Sequence, residues 1–261
     1  MSEVKKMKYF AGGEWLDTRT GNYSPVFNSS TGEVMAEIPN CSADEVAHAI
    51  ECAKKAFPMW RDTPVMKRTQ VLYKFRELLM AHFDELTELC AREHGKNWTE
   101  SAGDIAKVKE PVEFACGVPS LMVGESLMNT SKGYDTVTYR EPLGVFAGIS
   151  PFNFPGMIPM GWMVPICIAT GNTIVVKAAS KTPLTAIRCA ELWQEAGLPD
   201  GVLNIVTCTR HESEQFLTHP DIKGICFVGT SSVGKHIYGI AASHASTSST
   251  PRRTVSRSLS A

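Results

Sequence analysis

The strongest constraint on this chain is a change of period near residue 144. From there, apolar runs alternate with helical patterns: 144–149 then 158–170, 173–177 then 183–195, 203–206 then 212–218, and 224–228 then 231–242. Strands that are apolar along their whole length are buried on both faces, as in parallel sheets. Strand and helix pairs in series wind by right-handed crossovers. The expected fold is therefore α/β, an open parallel sheet with helices on both faces.

The first half reads differently. Residues 8–38 carry Gly12, Gly13, Gly21 and Gly32 between short apolar runs and predict small strands joined by turns. Residues 42–128 predict a helical part. Ser42 and Glu45 have capping-box spacing, with Val46, Ala49, Ile50, Ala53 and Phe57 on one face behind them. Pro64 opens a second helix, Gly95 closes a third, and a fourth covers 100–121 with a kink expected at Pro111. Residues 135–141 alternate as an exposed antiparallel arm strand does. Residues 1–242 thus form one domain. The tail 243–261 is half serine and threonine, with Val255 and Leu259 its only bulky aliphatics, and is expected to be disordered.

A net charge of -1 gives no attraction to nucleic acid or to a membrane surface. The most apolar window, 157–169, is interrupted by Pro159 and Pro165 and is shorter than the ~20 residues of a membrane span. Eight cysteines without metal-ligand spacing imply reduced thiols in a cytoplasmic compartment and no metal site.

Three places carry candidate chemistry. In 144–155, Gly-Val-Phe-Ala-Gly-Ile-Ser-Pro-Phe-Asn-Phe-Pro, a buried strand ends in a loop stiffened by two prolines. Its Asn153 can donate to an oxyanion, or it can simply satisfy its own turn. Lys177, closing the strand 173–177, can point into a ligand crevice or snorkel from the sheet edge. Residues 229–235, Gly-Thr-Ser-Ser-Val-Gly-Lys, fit most of a phosphate-loop pattern. His236 stands where that pattern needs a magnesium-binding hydroxyl, which favours a dinucleotide phosphate turn over a nucleotide hydrolase.

Together with Arg-Glu-Pro-Leu before Gly144, the segments 144–155, 171–177, 197–204 (Gly-Leu-Pro-Asp-Gly-Val-Leu-Asn) and 227–230 (Phe-Val-Gly-Thr) resemble the NAD-binding, N-terminal part of the aldehyde dehydrogenase superfamily. The likeness runs from about Lys8 to Ala242. Within it, Pro-Phe-Asn-Phe-Pro, Glu113-Phe-Ala-Cys116, Ser120-Leu-Met122 and His219-Pro-Asp-Ile-Lys223 are most similar to the CoA-acylating methylmalonate or malonate semialdehyde dehydrogenases. The resemblance implies a Rossmann-like NAD-binding domain, an aldehyde substrate, NAD as cofactor, CoA as co-substrate and a homo-oligomer, dimer or tetramer. It also implies a cysteine thiolate that adds to the aldehyde, hydride transfer to NAD and release of the thioester to CoA.

Carried over by position, Asn153 helps hold the oxyanion and Ser150 and Phe152 line the nicotinamide side. Lys177, Ser180 and Lys181 meet the adenosine ribose, and Gly229 and Thr230 sit near the pyrophosphate. The family's nucleophilic cysteine belongs to a catalytic domain that follows this region, so the chain is expected to lack it and to be inactive alone. Residues 243–261 depart from the family pattern as a frame-shifted end would. Ala178 and Ser180 replace a proline and a glutamate, and Lys107 replaces an arginine thought to meet the substrate carboxylate. Two alternatives stay open: a hydrolytic branch releasing a free acid, and a phosphate-loop nucleotide-binding protein. An orphaned domain serving as an interaction protein is a further one.

Overall fold

The computed structural model describes residues 4–244 and the backbone of 254–257. Near the N-terminus lie β1 (Lys5–Lys6), β2 (Tyr9–Ala11), β3 (Glu14–Leu16), β4 (Tyr23–Phe27) and β5 (Val34–Pro39). Four helices follow: α1 (Ala43–Asp62), α2 (Val65–Ala81), α3 (Phe83–His94) and α4 (Trp98–Cys116), then the short α5 (Val118–Leu121). The Ser42 and Glu45 capping box forms with both bonds made. A second box, Asn97 with Glu100, starts α4 two residues before the sequence-based limit. Pro111 sits inside α4, which continues beyond it to Cys116.

The expected helical part to residue 128 ends early. Residues Ser126–Ser131 form a strand, β6, paired antiparallel with β7 (Tyr134–Val137) in a separate two-stranded sheet. The reason is pairing: an isolated strand leaves its backbone groups unmatched, so the arm strand recruits the preceding residues as its partner.

The second half contains β8 (Val145–Ile149), β9 (Thr173–Lys177), β10 (Leu203–Val206) and β11 (Ile222–Phe227). These are parallel neighbours in the order β11-β8-β9-β10, and β2 and β3 extend the β10 edge antiparallel. Between the strands run a π-helical segment (Met157–Met163) continued by α6 (Val164–Ala169), then α7 (Leu184–Glu195), α8 (Arg210–Ser213) with α9 (Gln215–Thr218), and finally α10 (Ser231–Ser243). The buried helix expected from residue 158 is present, but its first turns are wide. Val164 donates five residues back to the Pro159 carbonyl, and Pro165 has no N–H to offer.

The period of two in the strands divides the core. Ile174, Val176 and Ile205 pack against α2, α4, α6 and α7 on one face. Val175, Ala147 and Ile225 pack against α1, α9 and α10 on the other. Helices therefore cover both faces, as expected from strands without polar alternation.

The tail expectation lies mostly outside the described residues. Within them it is corrected at two places. Helix α10 runs to Ser243, and the backbone of Thr254–Arg257 forms β12, parallel to β11. Backbone pairing to an open sheet edge places no demand on apolar content, which is what the composition argument weighed.

Candidate cofactor cleft

Strands β8, β9 and β10 step in one direction across the sheet, whereas β11 returns to the opposite side of β8. The chain thus reverses its strand order between β8 and β11. A crevice opens at such a switch point beyond the carboxyl ends of the strands, because the two following connections leave on opposite faces. A cleft of about 510 Å³ lies there. The loop after β8 supplies Ser150, Phe152, Asn153 and Phe154, and the turn after β11 supplies Val228, Gly229 and Thr230. Met157, Ile158 and Trp162 of the π-helical segment and Val233 of α10 complete an apolar wall.

Five of the eight residues singled out from sequence meet in this cleft: Ser150, Phe152, Asn153, Gly229 and Thr230. The Asn153 side chain makes no hydrogen bond to any described residue, whereas its backbone carbonyl accepts from Lys96 Nζ at 2.8 Å. An asparagine that merely satisfied its own turn would spend its amide there. Ser150 is tied to the sheet, its N–H and Oγ both reaching the Lys177 carbonyl, at 3.3 and 3.2 Å.

The other three residues, Lys177, Ser180 and Lys181, do not line the cleft. Lys177 ends β9, in register with Ile149 of β8, so it stands beside the mouth of the cleft. Lys181 places its ammonium 5.2 Å from the Phe152 ring centroid, and Thr182 Oγ1 donates to the Phe152 carbonyl at 2.7 Å. These contacts join the turn before α7 to the loop.

Helix α10 opens on the cleft with Thr230 as its cap residue, and the Thr230 side chain makes no capping bond of its own. The positive end of the helix therefore faces the space where an anionic group would sit. Lys235, which the phosphate-loop reading needs over the phosphates, is exposed and outside the lining. Its neighbour His236 is held 3.1 Å from Glu214 Oε1.

No cysteine lines the cleft. Burial pushes the thiols of Cys41, Cys90 and Cys208 up to about 12, and those of Cys167 and Cys189 also well above the ordinary thiol range. A thiol kept protonated is a poor nucleophile. Among the described residues no group of three or more His, Cys, Asp or Glu side chains could hold a metal, and no helix is long and apolar enough to cross a membrane.

Sequence reasoning missed Trp162, Val233 and the Met157–Ile158 wall. Met157, Ile158 and Trp162 lie in a stretch that reads as ordinary core and Val233 in the phosphate-turn pattern, and the exposure of Trp162 and Val233 shows only in the structure. The missed cation, Lys96, follows the helix-ending Gly95 and gives no sequence signal beyond that.

A parallel sheet with a cleft at its switch point, a loop amide without a side-chain partner among the described residues and a helix N-terminus at the cleft mouth define a nucleotide-binding α/β domain. Residues 15–250 match the aldehyde dehydrogenase family, and the chain belongs to that family. It is 46% identical over 241 residues to malonate-semialdehyde dehydrogenase 2 of Geobacillus kaustophilus, an alignment covering 92% of this chain and 50% of that protein. The crystal structure of methylmalonate-semialdehyde dehydrogenase from Oceanimonas doudoroffii superposes with a TM-score of 0.90 at 37% identity, over 96% of this chain and 50% of that one. A putative methylmalonate-semialdehyde dehydrogenase from Sinorhizobium meliloti 1021, complexed with NAD, gives a TM-score of 0.90 at 40% identity, over 94% of this chain and 50% of that one. The chain spans about half the length of the relatives it matches.

Proposed function

We propose that this chain is the NAD-binding part of an aldehyde dehydrogenase that oxidises malonate or methylmalonate semialdehyde to an acyl-CoA, with NAD as hydride acceptor and CoA as co-substrate. The observation that carries the reading is the cleft between β8 and β11, bounded by the 150–154 loop on one side and the α10 N-terminus on the other. The similar semialdehyde dehydrogenases supply the substrate class.

The residues present fit such a cofactor. The α10 N-terminus with Gly229 and Thr230 offers the positive end that a pyrophosphate needs. The apolar wall suits a flat ring, with Phe152 and Ser150 on the nicotinamide side. Lys177, Ser180 and Lys181 would meet the adenosine ribose, a role supported by the register of Lys177 with Ile149 at the cleft mouth and by the Lys181 contact with Phe152. Asn153 holds an unspent N–H donor at the cleft and would meet the oxygen of the aldehyde as negative charge develops on it. Bound NAD supplies the hydride acceptor. The protein's part is to bind, orient and exclude water.

No thiol reaches the cleft in this chain. The expected outcome is therefore NAD binding without turnover. Calorimetric titration of NAD into the purified chain should give saturable binding at one site, and incubation with malonate semialdehyde, NAD and CoA should form no NADH above a heat-killed control. No measurable NAD binding would overturn the proposal. A full-length assembly is expected to be homo-oligomeric, as sedimentation would report.

A further inference from the structure

The loop that bears Asn153 is fastened from behind by a buried ion pair that neither the composition nor the motifs reveal. Asp104, on α4, has a side chain with no solvent exposure, and Lys96, between α3 and α4, keeps 13% of its own. Their charged atoms are 3.0 Å apart. Asp104 Oδ2 also accepts from the Cys90 thiol at 3.7 Å, and the pair's other two bonds go to the two ends of the cleft loop. Asp104 Oδ1 accepts the Met157 N–H at 2.7 Å, and Lys96 Nζ donates to the Asn153 carbonyl at 2.8 Å while lying 4.1 Å from the Phe154 ring centroid. The fit is tight: a Cβ on Gly156 would come within 3.1 Å of Ile105 Cδ1 and 3.3 Å of Asp104 Oδ1.

We infer that Lys96 and Asp104 are positioning residues, a buried clamp that fixes the 152–157 backbone so that the Asn153 amide is presented to the cleft. The physical reason is the fate of the carbonyl. With its C=O committed inward to an ammonium, the 153–154 peptide is held against rotation, and the Asn153 side chain makes no bond within the loop. Lys96 also neutralises Asp104, which is otherwise an uncompensated buried charge. Charge-assisted bonds at both ends make the loop rigid before any ligand arrives, so binding does not have to order it.

The ligand arm of the test rests on the cofactor reading above, and the dynamic arm does not. Backbone amide order parameters in the intact chain should be near ~0.85 at Phe152, Asn153 and Phe154 in the wild type. In Lys96→Met they should fall below ~0.6 while those of β9 stay unchanged. NAD affinity should fall at least about fivefold, since the competent loop conformation becomes a fraction of the ensemble. Should Lys96→Met fail to fold because Asp104 is left unpaired, Lys96→Met/Asp104→Asn removes both charges, keeps an acceptor for Met157, and is expected to loosen the loop equally. Loop order unchanged from wild type, or NAD affinity unchanged in a variant whose loop has loosened, overturns the clamp. A wild-type chain that binds no NAD overturns the cofactor reading instead, and the order parameters then decide the clamp alone.

Discussion

Arg68 shows how far a residue's environment can depart from its local sequence. In Lys67-Arg68-Thr69 it reads as part of a solvated helix face, yet it is 3% exposed. Its guanidinium donates to the carbonyls of Ala169 at 2.9 Å, Thr63 at 2.6 Å and Arg61 at 3.2 Å. Among the described residues it forms no salt bridge with a carboxylate, and burial lowers its pKa from the ordinary arginine range. The cation is held by the carbonyl ends of α1 and α6 instead. Replacing it by Ala strands those carbonyls, and Arg68→Ala should lose about 2–4 kcal/mol of unfolding free energy in urea titration. Arg68→Lys should not restore it, because an ammonium cannot reproduce the fork. Asn153 is the opposite case. It was legible as a candidate because proline stiffens its loop, but whether its amide was spent could not be read from sequence. With no internal bond to lose, Asn153→Ala should change stability by less than ~0.5 kcal/mol, where an asparagine holding its own turn would cost ~1 kcal/mol.

Elements show the same division. Helix α7 begins after Pro183 with no side chain of its own to cap it. Glu93 of α3 supplies the acceptors, taking the N–H groups of Leu184 at 2.8 Å and Thr185 at 2.9 Å and the Thr185 hydroxyl. Burial pushes its carboxyl up to about 7, against hydrogen bonds that pull it down. A carboxyl whose pKa is higher folded than unfolded binds its proton more tightly in the native state. Its contribution is therefore complete below the ordinary value near 4.5 and is lost as the pH rises through 7. Unfolding free energy should fall across that window by up to ~3 kcal/mol, and Glu93→Gln should flatten the slope in urea titrations at pH 4.5, 6 and 7.5. The β6–β7 arm illustrates an element whose identity is tertiary. Although it stops at Val137, short of the expected limit at residue 141, strand β7 announces itself by alternation. Strand β6 does not: Asn129 turns to a φ of 52° and spends its N–H on Asp135, which breaks the register. Every residue of both strands is exposed. Replacing residues 125–138 by a short Gly-Ser linker should leave the urea midpoint of the body nearly unchanged, and limited proteolysis should cut first in this arm.

At the scale of the whole molecule, both core halves hold their cysteines as small apolar side chains. Iodoacetamide at pH 8 should label the native chain slowly, beginning with half-buried Cys52 and Cys226, and all eight cysteines once urea is added, as peptide mass spectrometry would count. Fast labelling of Cys41, Cys90 or Cys208 would contradict the buried environment described for them. The sequence by itself determined the α/β class, the strand and helix succession between residues 144 and 242, and the two segments that meet at the cleft. Hydrophobic period and proline and glycine placement are local, and they are written directly in the chain. Only the tertiary structure decided that β11 returns beside β8 to open the cleft. It also decided that Lys177, Ser180 and Lys181 flank that cleft instead of lining it, and that Lys96 and Asp104 brace its loop from behind. Each of these joins residues dozens of positions apart, through burial and hydrogen bonds that no local pattern encodes.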